Sequence, residues 1–179
     1  MHITTRKLTA AAVTGAAYAA LTMLLAPISY GAIQCRVSEV LCILPFFIPC
    51  TAWGLFAGCA IANLLSAAGI FDVVFGSLAT LLAALCTAWL GRGRGAQSWG
   101  RGLLAALMPV VFNFVLVGAV LTWSLTDAVF PHLNASFWVF GGQVALGEVI
   151  VLGVLGLPLM RLLPRNPKFR EIIRSYQKE

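Results

Sequence analysis

From Asp72 to Leu90 the chain reads "DVVFGSLATLLAALCTAWL", nineteen residues whose single charge stands at the first position. About 20 apolar residues cross the hydrocarbon core of a bilayer as an α-helix. Backbone in hydrocarbon must satisfy its own hydrogen bonds, so a run of this kind admits a helix and little else. Similar runs recur along the chain. Only 10% of the residues are charged and 60% are hydrophobic, against roughly 25% charged in an average soluble domain. A soluble fold of 179 residues could not cover that much apolar surface. The class is therefore an all-α integral membrane protein with a single domain.

The apolar runs predict a bundle of six transmembrane helices, over about 8–26, 38–47, 51–65, 72–90, 102–126 and 137–163, with a basic tail over 164–179. The second is bracketed by Pro45 and Pro49. The second and third are too short to span alone without a loop or a tilt. Irregular backbone at membrane depth survives only inside protein or beside a water-filled cavity, so a binding region is expected at one end. The start "MHITTRKL" is basic, but the apolar run after it lacks a cleavage signature, and no removable signal peptide is expected.

With the N-terminus placed in the cytoplasm, Arg6, Lys7, Arg92, Arg94, Arg101, Arg161, Arg165, Lys168, Arg170, Arg174 and Lys178 all fall inside. These are eleven of the 12 Lys and Arg residues, as the excess of basic residues in cytoplasmic loops requires. A multi-pass protein of the cell membrane with both termini cytoplasmic is expected. The pI near 9.4 then reflects loop and tail charges near anionic lipid, with no call for a nucleic-acid partner. Only Arg36 lies on the outer side, three residues from Glu39.

Several chemistries find no support. Cys35, Cys42, Cys50, Cys59 and Cys86 form neither a CxxC nor a Cys/His metal pattern, and His2 and His132 are peripheral, so no metal site and no cofactor are expected. The "NAS" at Asn134 carries no weight. There is no GxxxxGK[ST] phosphate loop. No nucleophile stands with a base, so the chain is not expected to be an enzyme. If it works in a pump, the ATPase is another subunit.

Charged groups at a helix centre in a membrane cost about 2.5–3.5 kcal/mol on insertion scales and tend to face a cavity or one another. In this topology Gln34, Arg36, Glu39, Asn63, Asp72, Gln143 and Glu148 gather in the outer half of the bundle, where a protein that captures scarce solute would build its pocket. Each has a plainer explanation beside that one. Arg36 and Glu39 can pair on one helix face at i,i+3. Asp72 can cap its helix. Asn63 and Asn113 can tie helices together. Glu148 has no such structural role, and it stands about 140° around an ideal helix from Gln143. Tyr30, Trp53, Phe56 and Trp138 could stack on a flat ring, although aromatic residues are common at membrane interfaces. In helix one, "AAAVTGAAYAALT" repeats Ala12, Ala16 and Ala20 every four residues, with Gly15 and Ala19 beside them. Small residues at that spacing let another helix backbone approach closely, within the bundle or from a partner.

The segments "LLAPISYGAIQCRVSEVLCILPFF", "GLFAGCAIANLLS", "DVVFGSLATLLAAL" and "VALGEVIVLGVLGLPL" resemble the queuosine-precursor transporter family (QueT), from helix one to about Leu159. These are substrate-binding S components of energy-coupling factor (ECF) transporters. The resemblance implies an S-component-like six-helix bundle that takes up a 7-deazaguanine such as 7-aminomethyl-7-deazaguanine or queuine. It implies partnership with a membrane T component and two cytoplasmic ABC ATPases. Ala12, Ala16 and Ala20 then resemble the contact of S components with the T component. A deazaguanine edge offers N–H donors to a carboxylate, its O6 accepts from Gln or Asn, and an aminomethyl cation would welcome a second carboxylate. Two other readings remain: an S component for another small vitamin-like solute, and a non-transporting membrane assembly protein whose polar residues only join helices.

Overall fold

The computed structural model of the chain describes residues 4–31, 34–66, 68–92, 98–126 and 135–177; Ala32, Arg94, His132, Asn134, Lys178 and His2 lie outside them. Among the described residues the fold is all-helical. Helix α1 runs Thr5–Leu24, α2 Val37–Phe46 and α3 Thr51–Asn63. The long helices α4, α5 and α6 run Asp72–Leu90, Trp99–Thr126 and Ala135–Arg165, and α7 is Pro167–Gln177.

Four of these, α1, α4, α5 and α6, are long and apolar enough to cross a membrane. With α2 at 10 residues and α3 at 13, six full-length spans are not present among the described residues. The perimeter carries exposed Leu8, Val13, Leu104, Val111, Ile150 and Val154. That apolar surface suits lipid and would be a liability in water.

Local chemistry explains the irregularities. Helix α1 yields at Leu25 to one further turn, Ala26–Ser29, with Pro27 inside its start. Helix α2 is wound as a 3₁₀ helix throughout and contains Pro45. At about 2.0 Å of rise per residue it covers more depth than an α-helix of equal length. Three π turns interrupt the long helices, at Asp72–Gly76, Asn113–Val117 and Leu152–Gly156. Pro109 inside α5 has no N–H for the carbonyl of Ala105. Thr87 of α4 donates its hydroxyl to that carbonyl at 3.2 Å, so the proline leaves no unmet group in hydrocarbon.

Helices α1 and α3 cross with their backbones in contact. A Cβ on Gly54 would overlap the carbonyl of Ala11, and one on Gly58 the carbonyl of Gly15. The small residues of α1 thus divide between two faces. Gly15 and Ala19 are buried toward the bundle, while Ala12, Ala16 and Ala20 are exposed. Around this crossing the core holds Tyr18, Leu55, Cys59, Ala62 and Ala84, all fully buried. A second cluster, Ile43, Phe46, Ala105, Leu152 and Met160, joins α2 to α5 and α6.

The described basic residues other than Arg36 lie at one end. Tyr176 of α7 donates to the Arg6 carbonyl at 3.2 Å, Arg101 donates to the Arg92 carbonyl at 3.2 Å, and Phe169 packs edge-on against Phe47 at 5.5 Å. Arg36 stands apart, at the opposite end of the helices and 5% exposed.

Candidate solute site

The end opposite the basic residues is built by the link between α1 and α2, the end of α3, the start of α4 and the outer turns of α5 and α6. A cleft of about 210 Å3 there is lined by Tyr30, Gly31, Gln34, Ser66, Phe140 and Gln143, among others. The Tyr30 hydroxyl donates to the carbonyl of Ala62 at 2.6 Å and so ties the link to α3. The link also rests on α6, where a Cβ on Gly147 would overlap the carbonyl of Gln34.

Beneath the cleft lie the buried charges. Arg36 does not pair with Glu39, as a helical i,i+3 spacing would allow. It precedes α2 in an extended conformation, and its Nη2 lies 3.3 Å from Oδ2 of Asp72. Its guanidinium stands 5.5 Å from the centre of the Tyr30 ring. Asp72 makes no capping bond and is fully buried. Asn63 donates to the Asp72 backbone carbonyl at 2.9 Å, which fixes which way its amide points and tethers the end of α3 to the first turn of α4.

Glu39 turns the other way. Tyr18 donates its hydroxyl to Oε1, and the Cys42 thiol donates to Oε2 at 2.9 Å. Glu148 receives Asn113 Nδ2 on Oε1 at 2.7 Å. The π turns track these residues. Asp72 and Asn113 each open one, and Glu148 precedes the third by four residues. Extra π turns are frequent where a helix re-aims a functional side chain.

Six buried side-chain atoms have no hydrogen-bond partner among the described residues: Ser29 Oγ, Gln34 Oε1, Arg36 Nε, Asn63 Oδ1, Asp72 Oδ1 and Glu148 Oε2. Buried polar groups are satisfied in the great majority of cases, so these six call for an explanation, although only Gln34 of them lines the cleft. Four are acceptors on Gln, Asn and carboxylate side chains, one is a guanidinium donor, and the Ser29 hydroxyl can act either way. The charge is also uneven. Glu39, Asp72 and Glu148 are buried, and Arg36 is the one buried base among the described residues.

Other expected residues fall elsewhere. Trp53 is 54% exposed and Trp138 64% exposed. Trp53 lies about 15 Å along α3 from Asn63 at 1.5 Å per residue, and Trp138 packs edge-on against Phe137 at 5.4 Å. Neither lines the cleft. Reasoning from the sequence passed over Tyr18, the donor to Glu39. The available signal was its position, since a tyrosine in mid-span lies outside the interface belt where such residues concentrate. It also passed over Phe140, the ring that lines the cleft.

A family model described as QueT transporter matches residues 8–165 of the chain. No curated protein and no solved structure matches it.

Proposed function

The chain belongs to the QueT transporter family, and from that premise we propose that this multi-pass membrane protein is the solute-binding S component of an ECF importer, taking up a 7-deazaguanine queuosine precursor. The single observation that carries the ligand class is the set of buried side-chain atoms without a partner among the described residues, four acceptors, one guanidinium donor and the Ser29 hydroxyl. A deazaguanine meets them in kind. Its ring and exocyclic N–H groups donate to Asp72, Glu148, Asn63 and Gln34, and its carbonyl oxygen accepts from Arg36. An aminomethyl substituent adds a cation to a region with three carboxylates and one guanidinium. Hydrogen bonds between charged partners are the strong ones in a dry site. Tyr30 and Phe140 supply ring faces beside the cleft.

In this reading the six helices form one S-component-like domain, and 164–179 is a cytoplasmic tail. The basic end faces the cytoplasm, as the distribution of Lys and Arg requires. The T component and two ABC ATPases supply the energy. The exposed stripe Ala12, Ala16 and Ala20 is the face offered to the T component.

Calorimetry on the purified protein tests the ligand class, with 7-aminomethyl-7-deazaguanine, 7-cyano-7-deazaguanine, guanine and thiamine as titrants. The aminomethyl compound should bind tightest, and guanine, which lacks the cation, at least about tenfold more weakly, a difference of 1.4 kcal/mol. Tight binding of thiamine alone would reassign the solute. Binding of none would favour a non-transporting assembly role.

A further inference from the structure

The basic end holds a feature that solute capture does not use. A cleft of about 430 Å3 opens between the start of α5, the end of α6 and α7. Arg161, Arg165 and Arg170 line it, with Ser98, Phe47 and Trp99. The guanidinium of Arg161 lies over the Trp99 indole, its carbon 3.5 Å from the ring centre. Stacking of that kind holds the side chain in place and leaves its in-plane N–H donors free. No ion pair reaches these three arginines among the described residues. The nearest described acid, Glu171, lines a separate cleft with Arg170 and Arg174. Three guanidinium groups bring up to fifteen N–H donors, five each, to one opening, and their mutual repulsion favours an anion between them.

A second, apolar opening continues from the first. It shares Trp99, Arg161 and Arg165 and adds Leu157, Pro158 and Leu162. Leu162 is 55% exposed on the perimeter, so this groove runs from the arginines onto the lipid-facing surface. Helix α7 roofs the arginine cleft, docked through Phe169 on Phe47 and through Tyr176 on the Arg6 carbonyl.

We propose that this cleft binds the phosphate headgroup of an anionic phospholipid, with one acyl chain lying along Trp99, Leu157 and Leu162. Inorganic phosphate shares the headgroup chemistry, but only a lipid uses the groove. Basic pockets between transmembrane helices at the anionic leaflet are suited to such headgroups. The site is separate from the solute site, at the other end of the helices, and stands whatever solute is carried.

The test is native mass spectrometry of the purified full-length protein, offered equimolar phosphatidylglycerol and phosphatidylcholine with matched chains. The wild type should retain one phosphatidylglycerol in preference to phosphatidylcholine by about tenfold. The triple variant R161Q/R165Q/R170Q should lose most of that preference, and R165Q alone should lose part of it if the triple variant does not fold. The variant K168Q/R174Q removes two charges from α7 outside the cleft and should keep the preference. Equal retention of the two lipids by the wild type would overturn the proposal, as would loss of the preference in K168Q/R174Q. Displacement of the lipid by millimolar inorganic phosphate would overturn the acyl-chain part and leave a plain anion site.

Discussion

Glu148 and Glu39 are both buried acids, yet their surroundings assign them different work. Glu148 has one oxygen bonded to Asn113 and the other without a partner among the described residues. Glu39 has both oxygens occupied, by Tyr18 and Cys42. In the proposed site, Glu148→Gln keeps the shape but replaces an acceptor by an amide that can turn its NH2 toward a ligand N–H. Leaving a buried polar group unpaired costs about 1–3 kcal/mol. Affinity for 7-aminomethyl-7-deazaguanine should therefore fall about tenfold or more by calorimetry; wild-type affinity would make Glu148 a packing group. Tyr18→Phe removes a donor from Glu39 in the core and should act on stability instead. The expected loss is about 1–3 kcal/mol, read as a lower thermal midpoint in detergent. An unchanged midpoint would mean that Glu39 finds another donor. The pairing of Arg36 with Asp72 was hidden in the sequence for a simple reason. The i,i+3 rule assumes an α-helix, whereas Arg36 is extended and lies before the 3₁₀ turn begins.

At the scale of elements, α1 has two small-residue faces with separate uses. Gly58 packs on the backbone of Gly15, and any side chain there must separate α1 from α3. Gly58→Leu should abolish the monodisperse folded protein in size-exclusion chromatography. Ala16 is exposed, so Ala16→Leu should leave folding and solute binding intact. If the T component docks there, the same variant should no longer co-purify with the ECF complex, because bulk holds the backbones apart. Normal recovery of the complex would move the contact elsewhere. The sequence displayed the small residues but could not divide them. Ala11, Ala12, Gly15, Ala16, Ala19 and Ala20 wrap around much of the helix, and only the position of α3 decides which face is covered.

For the whole molecule, charge is sorted by end. One end gathers Arg6, Arg92, Arg101, Arg161 and α7, while the other buries three of the six acids with Arg36. The sorting supports the proposed orientation and sets the proposed solute site apart from the proposed lipid cleft. The chain has no phosphate-loop motif. Vesicles carrying this chain alone should bind labelled deazaguanine without concentrating it when ATP is supplied inside; ATP-driven accumulation would refute the division of labour with separate ATPases.

Sequence alone determined that the chain is helical and lies in a membrane, because apolar runs of this length leave the backbone no other way to satisfy its hydrogen bonds. It also marked Gln34, Arg36, Glu39, Asn63, Asp72, Gln143 and Glu148 as residues whose place in the membrane needs a reason, since charge and amide groups are costly in hydrocarbon wherever they face. Tertiary structure decided everything that depends on which helix meets which. It set Arg36 against Asp72, gave Glu39 to Tyr18 and Glu148 to Asn113, and left Trp53 and Trp138 outside the cleft. Helix periodicity gives the face a residue occupies. The partner on that face comes from elements tens of residues away.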